Sequence, residues 1–260
     1  MGRVKATEIV ARSILTRQSG KDFIPYDYTI NPYVGCAFGC SYCYVTKLIF
    51  GDNAPKRIDT WGDWVEVKKN AVALLQSKTH LIAGSRLFLS SATDPYQPIE
   101  RHLGLTRSLL QVLLYAYPVL VTIQTRSPLV TRDIDLLKEF GDSVEVGMSI
   151  TTDNDTVRKI FEPSAPSIGQ RLNAIRKIKE AGVRTHATIA PLLPCNPRRL
   201  AEMVRPCVDS YWVDKLNLYD KEARMLALYK QYGWSEYLGE KHYQAVCKAL
   251  KEAFGETPRG

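Results

Sequence analysis

Ten residues, Gly35-Cys36-Ala37-Phe38-Gly39-Cys40-Ser41-Tyr42-Cys43-Tyr44, carry three of the six cysteines of the chain at C-x3-C-x2-C spacing. This loop constrains the chain more than any other stretch, because thiols this close together must serve one site. Loop-borne thiolates hold iron–sulfur clusters, and a four-iron cubane with only three protein thiolates keeps one iron open, as a catalytic zinc site keeps one open position. An open iron implies chemistry beyond electron storage. Zinc fits less well, since the nearest histidine, His80, lies far along the chain in a different expected element. Disulfides fit poorly too, because three neighbouring thiols cannot pair evenly and no secretory apolar segment opens the sequence. Gly35 and Gly39 bracket the loop and Tyr42 precedes the last cysteine, which argues against three unrelated buried thiols.

Around this loop, strand and helix patterns alternate, the signature of a parallel sheet wrapped by helices. Residues 3–17 read as a helix, and the extended stretch 26–34 leads into the cysteine loop. A helix over 64–77 carries Val65, Val72 and Leu75 on a helical period and precedes a strand at 86–90. A long helix over 98–115 begins at a proline, 119–124 is a dense β-branched strand, and a helix over 133–140 stops at Gly141. A strand at 144–150, helices at 155–161 and 167–181, a strand at 183–190, a helix opened by Asn196 and Pro197, and a strand at 210–218 complete the alternation, with helical segments to about residue 254. The six strands start at Tyr26, Arg86, Val119, Val144, Val183 and Ser210. That pattern fits an α/β fold, a partial (β/α)6 TIM-like barrel with extra N- and C-terminal helices, in a single domain spanning residues 1–260.

C-x3-C-x2-C with an aromatic residue before the third cysteine resembles the cluster loop of the radical S-adenosylmethionine (SAM) enzymes. The stretches 26–44, 90–100, 125–137 and 149–171 resemble the branch of that superfamily related to spore photoproduct lyase, and the likeness covers a core of about residues 20–220, leaving a helical extension over 221–260. The resemblance implies that Cys36, Cys40 and Cys43 bind a [4Fe–4S] cluster and that the amino and carboxylate groups of SAM chelate its open iron. Reduction of the cluster would then cleave SAM and generate a 5′-deoxyadenosyl radical that takes hydrogen from a substrate.

In parallel βα barrels the working loops lie beyond the C-terminal ends of the strands. After the second strand, Ser90 to Pro98 form a polar loop; by resemblance Ser91, Ala92, Thr93 and Asp94 hold the methionine amino group, although the same residues also satisfy a turn and an N-cap. Thr125-Arg126-Ser127 after the third strand, and Ser149, Thr151, Thr152 and Asp153 after the fourth, offer hydroxyls and charges to ribose or carboxylate. Arg158 or Arg171 suits a bidentate pair with the SAM carboxylate, or else is an ordinary exposed helix charge. Glu162 before Pro163 is a cap or a substrate contact. Pro191, in Ile189-Ala190-Pro191-Leu192, packs an apolar wall against adenine, with Tyr42 facing it from the cysteine loop. Cys195, just past the fifth strand, is the candidate hydrogen-atom donor, against the plainer reading of a small buried thiol. His186 points either into the barrel or into the helix layer.

The formal charge of +8 favours a polyanionic partner, with nucleic acid foremost, although pairs such as Lys56-Arg57 and Arg198-Arg199 are scattered among acids. No apolar run reaches the roughly 18 residues that span a membrane. An oxygen-labile cluster and unpaired thiols favour a reducing cytoplasm. The expected partners are therefore a nucleic-acid substrate, an external electron donor of the flavodoxin or ferredoxin type, and no membrane. Repair of a base lesion, as in photoproduct lyase, is the leading expectation. Modification of tRNA, a peptide or a small metabolite, with a partner protein, is the alternative, and a non-catalytic iron–sulfur nucleic-acid-binding module is the third.

Overall fold

The structure, a computed structural model, describes residues 4–18, 26–46, 59–216 and 222–255. Lys56, Arg57 and the last residues of the expected strand at 210–218 lie outside the described residues. The six expected strands are present, as β3 (Tyr28–Ile30), β6 (Arg86–Leu89), β7 (Leu120–Thr125), β8 (Val144–Ser149), β9 (Arg184–Ile189) and β10 (Ser210–Val213). They lie side by side in sequence order, each parallel to the next, and β2 (Leu15–Arg17) adds an antiparallel edge against β3. β10 and β2 remain the two edges, so the barrel is partial.

Alternation along these strands separates two faces. Leu87, Leu89, Val121, Ile123, Val144, Val146, Met148, Ala187 and Ile189 are all buried in the main core. They meet helices that are well specified locally. α7 (Ile168–Glu180) opens with a capping box, Ser167 and Gln170 each bonding the other's backbone, and buries Leu172, Ile175 and Ile178. It packs on β8 and β9. α8 (Pro197–Val204) has Asn196 as its cap and Pro197 in its first turn, and α10 (Glu240–Phe254) lies against it. α9 (Glu222–Gln231) precedes α10 in the helical extension.

Three expected helices are corrected. Residues 3–17 contain β1 (Lys5–Ile9) and β2 instead of a helix; β1 pairs in parallel with β5 (Trp64–Lys68), and β5 pairs with β4 (Tyr33–Val34) in a separate three-stranded sheet. The expected helix at 64–77 likewise begins as β5, because Trp64-Val65-Glu66-Val67-Lys68 alternates with period two and buries Val65 and Val67; only Ala71–Gln76 is helical, as α1. A short α2 (Thr79–Ile82) follows. The helix expected over 98–115 is cut by Gly104, whose φ of +61° ends α3 (Glu100–Leu103) before α4 (Leu105–Tyr115). The remaining helices are α5 (Ile134–Glu139) and α6 (Asp155–Phe161).

Candidate active site

The cysteine loop leaves β4 at the C-terminal ends of the parallel strands, and its shape depends on glycine. Gly35 has φ +85°, and a Cβ there would lie 2.7 Å from the Trp64 carbonyl oxygen. Gly39 has φ +57° and backs onto Gly62, whose Cα would be 3.1 Å from an added Cβ. Gly35→Ala is therefore expected to cost about 1–3 kcal/mol in thermal unfolding and to lower iron occupancy together with stability. Tight turns complete the loop, with Gly39 N donating to Cys36 O at 3.2 Å and Cys43 N to Cys40 O at 3.1 Å.

The polar loop that follows β6 is stitched to this turn. Thr93 Oγ1 donates to Gly35 O at 2.6 Å, Gln97 Oε1 accepts from Ala37 N at 2.9 Å, and the Tyr44 hydroxyl donates to Ser91 O. Asn31, at the end of β3, accepts from Ala92 N at 2.8 Å and donates to Ser91 Oγ at 3.3 Å. Asp94 is buried and accepts from Thr125 Oγ1, Arg126 N and Tyr96 N at 2.7 to 2.9 Å. Burial pushes its carboxyl up, against those hydrogen bonds. Asp94 and Thr125 thus clamp the loops after β6 and β7 to each other. Ser90 stands apart: its φ is +127° and its buried hydroxyl has no hydrogen-bond partner, a strained residue with an unused polar group at the strand end.

A second network lies beneath Cys40 and Tyr42. Arg126 Nη1 is 2.8 Å from Cys40 Sγ, 3.0 Å from the Tyr42 hydroxyl and 3.1 Å from Glu162 Oε1. Glu162 is fully buried and also receives hydrogen bonds from Tyr42, from Thr151 Oγ1 at 2.9 Å and from Arg171. Burial alone would raise the Glu162 carboxyl, but the Arg171 and Arg126 charges and the bonds from Arg171 and Tyr42 outweigh it and hold it down to about 2. Arg171, fully buried, also donates to Ser149 O and Pro166 O. Arg158 is buried as well and donates to Asp155 and to Ala165 O. Both arginines expected to meet the SAM carboxylate are thus fully engaged with the protein itself.

The expected residues fall into two groups. Cys36, Cys40, Cys43, Tyr42, Ser91, Ala92, Thr93, Asp94, Thr125 and Thr151 are brought together by the hydrogen bonds above, and Ser149 joins them through Arg171. Pro191 follows the C-terminal end of β9 and is joined to Ala190 by a cis peptide. Cys195 is buried in the main core with its Sγ 3.6 Å from His242 Nε2 on α10. Sequence reasoning missed Asn31, took Ser90 and Gln97 only as members of the polar loop, and left Glu162 as a cap or contact. Glu162 is the centre of its network, yet its donors come from positions 42, 126, 151 and 171, which no local pattern connects.

The donor set fits a cluster. All three cysteines are free thiols, Cys40 is buried, and Cys36 and Cys43 are half-buried beside Phe38 and Ala165. Among the described residues no group of three His, Cys, Asp or Glu side chains is arranged for one metal ion, whereas a cubane needs each thiolate on a different iron. Burial pushes the Cys40 thiol up to about 12 even though Arg126 pulls it down, so iron loading has to displace protons. Hydrogen bonds to cluster sulfurs raise reduction potentials. Loss of a charge-assisted bond worth about 1.5–3 kcal/mol converts to about 60–130 mV, so Arg126→Gln is expected to lower the cluster potential by that amount in an anaerobic redox titration.

Comparison with known proteins places the chain. Residues 30–206 match the profile of the Radical SAM superfamily. An uncharacterised protein of Methanocaldococcus jannaschii is 34% identical over 211 residues, covering 80% of this chain and 77% of that protein. A radical SAM Nalpha-GlyT isomerase of Pseudomonas phage M6 is 27% identical over 63% of this chain and 32% of its own length. A point mutant of spore photoproduct lyase superposes with a TM-score of 0.68 at 16% identity, covering 96% of this chain and 80% of that one, a likeness of fold. No described helix is long and apolar enough to cross a membrane. With the cysteine loop, the parallel half-barrel and the family match in agreement, the chain belongs to the radical SAM superfamily and is a radical SAM enzyme whose cofactors are a [4Fe–4S] cluster and SAM.

Proposed function

We propose that the substrate is a nucleic acid and that the enzyme abstracts hydrogen from one of its bases, in the manner of lesion repair. The observation that carries this reading is the face of the sheet turned away from the helices. Reading inward-facing positions across the parallel strands gives Thr29, Arg86, Phe88, Leu120, Thr122, Gln124, Glu145, Gly147, Ser149, Arg184, His186, Thr188, Ser210 and Trp212, in which Leu120, at the start of β7, is the one aliphatic side chain. A wall of hydroxyl, amide, carboxylate, imidazole and aromatic groups suits a planar, hydrogen-bonding ligand. The net charge of +8 suits its phosphates. A fold neighbour supports it by name: a spore photoproduct lyase is known with a bound dinucleoside spore photoproduct.

The cofactors, held by Cys36, Cys40 and Cys43 and the loop after β6, would supply one-electron cleavage of SAM and a radical able to take hydrogen. Residues of the chain do the rest. Ser90, Ser91 and Thr93 offer oxygens for the SAM amino group, and the Glu162 network fixes Tyr42 and the arginine behind Cys40. A flavodoxin- or ferredoxin-like protein supplies the electron. Cys195 is assigned the hydrogen donor, and burial, with the Asp153 carboxylate adding to it, pushes its thiol up and keeps it as S–H. Cys195→Ala is expected to keep the iron chromophore but alter the product or its turnover; unchanged product and turnover remove the donor role.

The substrate reading is tested by retention of single-stranded DNA and RNA oligomers on immobilised holoprotein. Salt-sensitive retention is expected. Retention of neither polymer at low salt points to a peptide or small-metabolite substrate.

A further inference from the structure

Glu145 and His186 lie on adjacent strands of the inward face, where the fold needs neither. Burying a carboxylate and an imidazole costs free energy unless both are well paired. Here His186 Nδ1 lies 2.7 Å from Glu145 Oε1, yet it is buried without an aligned hydrogen bond, so the carboxylate approaches off the N–H direction. Ser210, the register partner of His186 on β10, also has a buried hydroxyl without a partner. Two adjacent unsatisfied polar atoms on one face are a site awaiting a ligand or ordered water. Hydrogen bonds of such groups are often misaligned before ligand binds and tighten with it.

Gly147 shows that the imidazole is deliberately seated. This glycine has an ordinary backbone, so its missing side chain serves space alone. A Cβ at Gly147 would lie 2.2 Å from His186 Nε2 and 2.4 Å from Gln124 Oε1. The ring and the amide therefore converge above this one position. The Gln124 amide is held from both sides, donating to Ser149 Oγ at 3.0 Å and accepting from Thr188 Oγ1 at 2.8 Å. Trp212, level with Thr188 on the same face, is 39% exposed and presents an indole on which a ring can stack.

We propose that His186, anchored by Glu145 and seated over Gly147, forms with Gln124 a base-recognition site that reads the carbonyl and N–H edge of a pyrimidine. Trp212 stacks the ring and Ser210 supplies a further hydrogen bond. The proposal rests on the nucleic-acid reading above and adds the residues and the part of the substrate they recognise. These are positioning residues: they orient the ring without taking part in bond cleavage.

The test is equilibrium binding to the cluster-loaded protein with SAM and without reductant, so that no turnover occurs. The probes are thymidylyl-thymidine and an abasic dinucleotide of equal charge. The wild type is expected to prefer the base-bearing dinucleotide about ten-fold or more, as one base stacked on an aromatic side chain provides. In His186→Phe, and in Gly147→Ala, which displaces the ring without deleting it, the two dinucleotides should bind within about two-fold of each other; the pair of variants keeps the test open if one fails to fold. A merely structural role would weaken both ligands alike. If the variants keep the ten-fold preference, the recognition site is wrong and the nucleic-acid reading stands. If the wild type binds both equally, the base site is again wrong, and if it binds neither, both readings fall together.

Discussion

Cys40→Ala is expected to abolish the iron–sulfur chromophore and reduce SAM cleavage to background while leaving the far-ultraviolet circular dichroism of the fold in place. The thiol is only 6% exposed, but it sits in a small satellite cluster with Phe38 and Ala165, away from the main core that carries stability. Truncating it removes one sulfur from that cluster, a cost of about 1 kcal/mol. Loss of the third ligand is of another order, because two thiolates leave a second iron open. Cys195 supplies the control. It is as buried as Cys40, at 6%, and lies in the main core, so packing alone would make Cys195→Ala the more damaging variant; only ligation makes Cys40→Ala the one that loses iron. Iron content, measured after identical anaerobic reconstitution, should be retained in Cys195→Ala and lost in Cys40→Ala.

The second large effect concerns Glu162. With Arg171 and Glu162 both fully buried and Arg126 adjacent, removing the carboxylate leaves two guanidinium groups without their counter-charge. Breaking a buried pair from one side costs about 3–5 kcal/mol. For a chain of this size that is a fall in melting temperature on the order of 10 °C for Glu162→Gln. The effect also has a pH signature. The folded carboxyl is held down to about 2, below its ordinary value near 4.5, so the unfolded chain binds the proton more readily. Its stabilisation is complete above the ordinary value and is lost as pH falls toward 2. Wild-type stability should therefore drop through that window more steeply than that of Glu162→Gln, and a denaturant series from pH 6 down to pH 2.5 measures the difference. Equal slopes would show that Glu162 does not carry the charge of the network.

The sheet was legible because each of its later strands is a short β-branched run followed by a helix with its own stop, as Gly141 and Gly182 show. The N-terminal region was not, since β1 and β5 are five residues each and find their meaning only by pairing across about sixty positions. The cysteine loop announced itself through spacing, and the residues that hold its shape were partly visible as Gly35 and Gly39. Its tertiary partners were not. Asn31 and Gln97 are ordinary polar residues until the fold brings them within hydrogen-bond distance of Ala92 and Ala37. Arg158 and Arg171 show the limit most clearly: sequence reveals a cation but not whether its anion is a ligand or, as here, Asp155 and Glu162. His186 could face either way from sequence alone, and only the strand register places it beside Gly147 on the inward face.

The most direct measurement is anaerobic. The protein is reconstituted with iron and sulfide, given SAM and dithionite, and assayed for 5′-deoxyadenosine with and without thymine-containing DNA. The expected result is 5′-deoxyadenosine that depends on Cys36, Cys40 and Cys43 and rises when DNA is present. An intact cluster that cleaves no SAM under any of these conditions would contradict the assignment.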